Sequence, residues 1–84
     1  MMRVKLLFFA TLRDRAGTKS VEIEIPDHAT VRRLKDQVAH DYPSLNQSMG
    51  TVLVSIDHEF AFDDALVPID AEIALFPPVS GGDS

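Results

Sequence analysis

One stretch of the 84-residue chain repeats its apolar residues at helical spacing over several turns, and it lies between segments that alternate with period two. In "DHATVRRLKDQVAHDYPSL", Val31, Leu34, Val38 and Tyr42 fall on one stripe. Residues three or four apart share a side of a helix, so the stripe predicts an amphipathic helix. Thr30 offers a side-chain oxygen to the first turn, and Pro43 stops the helix at or before Tyr42. A helix with a single apolar face needs a surface to cover.

The flanking segments supply that surface. "RVKLLFFAT" places Val4, Leu6 and Phe8 on one side and Lys5, Leu7 and Phe9 on the other, the pattern of a central strand with apolar groups on both faces. After "LRDRAGT", a short turn or helical piece closed by Gly17, "SVEIEI" turns Val21, Ile23 and Ile25 inward and Glu22 and Glu24 to water. The two strands read as a hairpin, and Pro26 ends it. Beyond the helix, a polar loop over residues 46–50 leads to "TVLVSID" and "EFAF", short strands about a tight turn at Asp57 and His58. "DDALVPID" connects them to a final strand, "AEIALF".

One main helix across one mixed sheet is an α+β architecture, and a helix between the second and third strands predicts a crossover. The order fits a β-grasp, in which the first and last strands pair at the centre of the sheet. A ferredoxin-like fold would need a second helix. Residues 1–78 are read as the β-grasp domain and residues 79–84 as a flexible tail.

Composition narrows the function. Apolar residues make up 45% and charged residues 25% of a chain without cysteine, which is ordinary for a soluble globular domain and excludes thiol nucleophiles and cysteine zinc sites. No stretch nears the roughly 18 apolar residues of a membrane span, and no signal peptide is visible, so the cytosol is the expected compartment. A net charge of -5 argues against nucleic acid. The first 35 residues carry +4 and the rest carry -9, so the later half either mixes into an ordinary surface or offers an acidic face to a basic partner.

Internal chemistry is sparse. His28, His40 and His58 fall in a loop, the helix and a turn, without metal-site spacing, and Asp63 and Asp64 sit in a connection with no companion ligand. There is no phosphate loop and no serine elbow. The chemistry is expected at the ending, "LFPPVSGGDS". Gly81 and Gly82 lack a Cβ, so they can thread a channel closed to other residues. Pro77 and Pro78 fix φ and hold that tip away from the domain.

An opening of "VKLLFFATLRDRAGT" and a closing of "ALFPPVSGG" resemble the small subunit of molybdopterin synthase, a ubiquitin-like sulfur carrier family. The resemblance spans residues 3–82, and its most specific piece is the Phe-Pro-Pro-Val-Ser-Gly-Gly ending. It implies that Gly82 is adenylated by an ATP-dependent activating enzyme, converted to a thiocarboxylate with sulfur from a donor enzyme, and inserted into the large subunit. It further implies a heterotetramer of two small and two large subunits. It implies no stably bound cofactor, ATP being used by the activating enzyme, and no catalytic role for the carrier beyond donating sulfur.

Carriers of this family end at the second glycine, whereas Asp83 and Ser84 follow it here. That departure predicts an inert terminus until a protease removes the two residues. The alternatives are a fragment of a longer fusion and a carrier that has changed role. Alternation also predicts a docking face, because Val4, Leu6, Phe8, Ile73 and Leu75 toward the helix leave Phe9 and Phe76 opposite, with Phe60 beside them. Val79 joins Pro77 and Pro78 in the expected partner-binding neck. The competing readings are a carrier for thiamine or cysteine synthesis and a ubiquitin-like binding module that never forms an acyl adenylate.

Overall fold

The computed structural model describes residues 1–78. Val79, Gly81, Gly82, Asp83 and Ser84, and with them the tail expected over residues 79–84, lie outside the described residues. Strands β1 (Met2–Phe8), β2 (Ser20–Ile25), β3 (Leu53–Ile56), β4 (Glu59–Ala61) and β5 (Glu72–Phe76) form one sheet in the order β2-β1-β5-β3-β4. β1 and β5 run parallel at its centre, and the other neighbours are antiparallel. This is the β-grasp arrangement, an α+β fold.

Helices α1 (Thr11–Ala16) and α2 (Val31–Asp41) complete it with a 3₁₀ segment, Pro43–Gly50. Helix α2 follows the sequence pattern closely. Val31, Leu34 and Val38 are fully buried, and Tyr42 caps the end with its ring edge-on to Phe8 at 6.0 Å. On the other side of that core stand Val4, Leu6, Phe8, Ile73 and Leu75, each at most 2% exposed. Burial of a side chain of this size contributes roughly 1.5 to 3 kcal/mol, so the layer between α2 and the central strands carries most of the stability.

Two expectations need correction. The first strand stops at Phe8 rather than running through "FAT", because Ala10 adopts φ 54° and turns the chain into α1. Phe9 still donates its N–H to Leu75 O at 3.2 Å, which keeps it in the plane of the sheet. The polar loop over residues 46–50 is instead 3₁₀ helix, and it seats Leu45 and Met49 in the core. Eight residues with two apolar anchors carry too little periodicity to announce themselves. Gly17 closes α1 as expected, in the left-handed region at φ 78°.

The connection after β4 holds the start of α2. Val31 N–H donates to Ala65 O (2.9 Å), Arg32 N–H to Asp63 O (3.0 Å) and Arg33 N–H to Thr30 Oγ1 (3.3 Å). Helix amides that would otherwise lack partners are thus satisfied by one loop and one cap. Lys35 Nζ donates to Asp63 Oδ1 at 2.6 Å across the same junction. That hydrogen bond, aided by the nearby charges of Lys35 and Arg32, holds the Asp63 carboxyl below its ordinary range.

A depressed carboxylate stabilises the fold above its unfolded pKa of about 3.9, and the contribution is lost as pH falls through the lower folded value. Asp63→Asn should therefore cost about 0.5 kcal/mol near neutrality, the scale of a partly exposed pair, and make no difference in strong acid. Urea melts of both proteins from pH 7 to pH 2 measure the convergence.

Candidate functional site

The face of the sheet opposite α2 has two halves. Toward one end lie Arg3, Lys5, Glu22, Glu24 and Glu72, with Arg3 bridging to Glu24 at 3.3 Å and to Glu22 at 3.8 Å. His58, 89% exposed, lies 3.8 Å from Glu72. Toward the other end, where β5 runs out, the face is aromatic.

Phe9 and Phe76 stack with centroids 4.7 Å apart and planes 11° from parallel, and Phe60 leans on Phe76 at 6.1 Å. The strand register explains the meeting. Leu53 pairs with Phe76, and Ser55 pairs with both Ala74 and Phe60, so alternation puts these side chains on one face. With Leu7, Ala74 and Ser55 they line a shallow depression of about 200 Å³. Phe60 is 73% exposed, while Phe76 is half-buried beneath its neighbours. Stacking accounts for that difference, and it gives Phe76 a share in the fold as well as in the surface.

Pro77 and Pro78 follow immediately, the first half-buried and the second exposed. The structure thus groups Phe9, Phe60 and Phe76 at the root of the proline neck. Gly81, Gly82 and Val79 lie outside the described residues. The sequence pattern alone left out two members of this surface, Leu53 (39% exposed) and Phe62 (84% exposed). The alternation of "EFAF" carried the signal for Phe62, which shares a parity with Phe60.

The residues considered as metal or acid-base groups are dispersed. His28 is in the β2–α2 connection, His40 is in the last turn of α2, and Asp63 is bound to Lys35 while Asp64 is exposed beside it. Among the described residues no three histidine or acidic side chains converge as a metal site, and no helix is long and apolar enough to cross a membrane.

The chain matches the ThiS family over residues 6–82. The molybdopterin synthase sulfur carrier subunit of Escherichia coli is 37% identical over 82 residues, covering 94% of this chain and 99% of that protein. The molybdopterin synthase sulfur carrier subunit of Arabidopsis thaliana is 30% identical over 81 residues, covering 96% of this chain and 84% of that protein. Among solved structures, that of SAMP1 from Haloferax volcanii superposes with a TM-score of 0.82 at 28% identity, covering 95% of this chain and 99% of that one. The chain belongs to the ThiS family, alongside the molybdopterin synthase sulfur carrier subunits of those organisms.

Proposed function

We propose that the protein is the sulfur carrier subunit of a molybdopterin synthase. The observation that carries this reading is an exposed aromatic face at the root of a Phe-Pro-Pro neck whose sequence continues to Gly81 and Gly82, in a chain related over nearly its whole length to such carriers. The domain contributes docking and the tip contributes chemistry. Hydrolysis of the Gly82–Asp83 bond by a protease first frees the Gly82 carboxylate, and an activating enzyme then transfers AMP from ATP to it, releasing pyrophosphate. Sulfur released by a donor at the oxidation level of sulfide then attacks the acyl carbon and displaces AMP, leaving a thiocarboxylate.

The large subunit receives the tip and supplies the groups that act on the pterin precursor, two carriers serving two large subunits. On this reading the carrier binds no cofactor of its own and works in the cytosol. The stack of Phe9 on Phe76 puts the last ring before Pro77 on the docking face.

Intact mass after incubation of a form ending at Gly82 with an activating enzyme, ATP and a sulfur donor tests the proposal. The expected product is heavier by the exchange of one oxygen for sulfur. An unchanged mass, with the enzyme shown active on its own carrier, would overturn the reading. Within the same assay Gly81→Ala places a Cβ where a narrow channel is expected and should slow transfer at least about tenfold, the effect of a misplaced reacting group, with an unchanged melting temperature. Normal transfer by that variant would show that the channel is wider than the mechanism requires.

A further inference from the structure

Among the described residues no strand pairs with the outer side of β4, so the β3–β4 hairpin leaves one edge of the sheet open. Its turn residues Asp57 and His58 both have left-handed φ, 50° and 76°, as the tight two-residue turn requires, and Ile56 faces Glu59 across it. In such a hairpin that first pair exchanges both backbone hydrogen bonds, and bonding then alternates along the ladder. Glu59 and Ala61 therefore bond toward β3, while the N–H and C=O of Phe60 point outward. An outward amide on an edge strand is a place where another extended chain can add.

What surrounds this edge limits the chain that fits. Phe60 and Phe62 stand up from it as a ridge between two grooves. One groove, of about 570 Å³, runs past Leu53 and Ala61 to the Lys35–Asp63 pair. The other, of about 540 Å³, runs past Ile56 and Pro68 and carries Asp57, Glu59 and Asp64, all exposed. Among the described residues Lys35 is the one cation lining either groove, and Asp63 already holds it at 2.6 Å. Two copies meeting edge to edge would set these carboxylates against each other, which disfavours self-association.

We infer that the β4 edge docks an extended, lysine- or arginine-bearing segment of a partner protein, added to the sheet beside Phe60. Backbone bonds to Phe60 align the segment. Its cations sit against Asp57, Glu59 and Asp64, and over the faces of Phe60 and Phe62. This surface shares Phe60 with the aromatic face at the root of the neck and adds to it the β4 backbone edge and the carboxylates of Asp57, Glu59 and Asp64.

The test uses the full chain and a capped hexapeptide alternating lysine and valine, followed by backbone amide chemical shifts. Saturable shifts centred on residues 59–62 are expected. The double variant Glu59→Lys with Asp64→Lys, both side chains being exposed, should weaken binding by about fivefold or more, as inversion of rim charges does. A peptide N-methylated at the amide facing Phe60 should bind far less, since it keeps its charge but loses the ladder bond. Equal binding of a glutamate-valine peptide, equal binding after N-methylation, shifts centred on β2, absence of saturation at millimolar peptide, or a dimer formed through β4 would each overturn the inference.

Discussion

Removing Asp83 and Ser84 should switch activation from absent to present. Adenylation requires a free carboxylate on a residue slim enough to reach the nucleotide, and in this sequence Gly82 offers one only when it is terminal. With Asp83 attached, the Gly82 carbonyl is an amide and offers no carboxylate to accept AMP. Displacing the tip by even an ångström from a reacting phosphate costs about a hundredfold, and two extra residues displace it much further. Pyrophosphate exchange catalysed by an activating enzyme is expected with a form ending at Gly82 and not with one carrying the two further residues. Equal exchange by both forms would mean that the enzyme, rather than the carrier's terminus, selects the reacting group.

Phe76→Ala should weaken association with a molybdopterin synthase large subunit by about 2 kcal/mol, near thirtyfold in affinity, which is the scale of a central aromatic anchor. The ring lies between Phe9 and Phe60, its neighbours being 4.7 and 6.1 Å away, so its loss takes the middle from the aromatic face. The free domain should lose about 1 kcal/mol as well, because an aromatic pair contributes beyond the area it covers. Phe60→Ala separates the two effects, since a ring 73% exposed adds little to the isolated fold. Calorimetric titration with the large subunit, beside denaturant melts of each variant, reads both quantities. Full affinity in Phe76→Ala, or a loss of several kcal/mol in the free domain, would place the ring in the core and the docking surface elsewhere.

The legible parts of the fold are those where one physical pattern dominates. Helix α2 has a three-turn stripe, a threonine cap and a terminating proline, and all three agree. The strands around Leu6, Ile23 and Ile73 alternate cleanly enough to set their inward faces. The end of β1 was not legible, because Ala10 at φ 54° is imposed by the turn into α1 rather than by any preference of alanine. Nor was the 3₁₀ segment, whose two buried residues, Leu45 and Met49, are held by the core they help fill.

At the candidate site, alternation was enough to place Phe9 and Phe76 on one face. Phe60 was expected beside them and does lean on Phe76, although the strand order that brings it there is one that no local pattern reveals. The loop that holds the start of α2 was equally hidden, since its work is done by backbone carbonyls, which every residue has.

The centre of the sheet is made by Lys5 lying against Glu72 and Phe8 against Leu75, with almost all of the described chain between them. Contacts so distant in sequence form late and slowly, because the intervening chain must be ordered before they return any energy. During synthesis, β1, β2 and α2 all emerge before the strand that must part β1 from β3, so until then the inner faces of Leu6 and Leu34 have no complete cover. The stack of Phe9 on Phe76 joins those same two distant strands. It therefore cannot exist on a partly made chain, and an enzyme that recognises the stack would, by that contact alone, select carriers whose folding is finished.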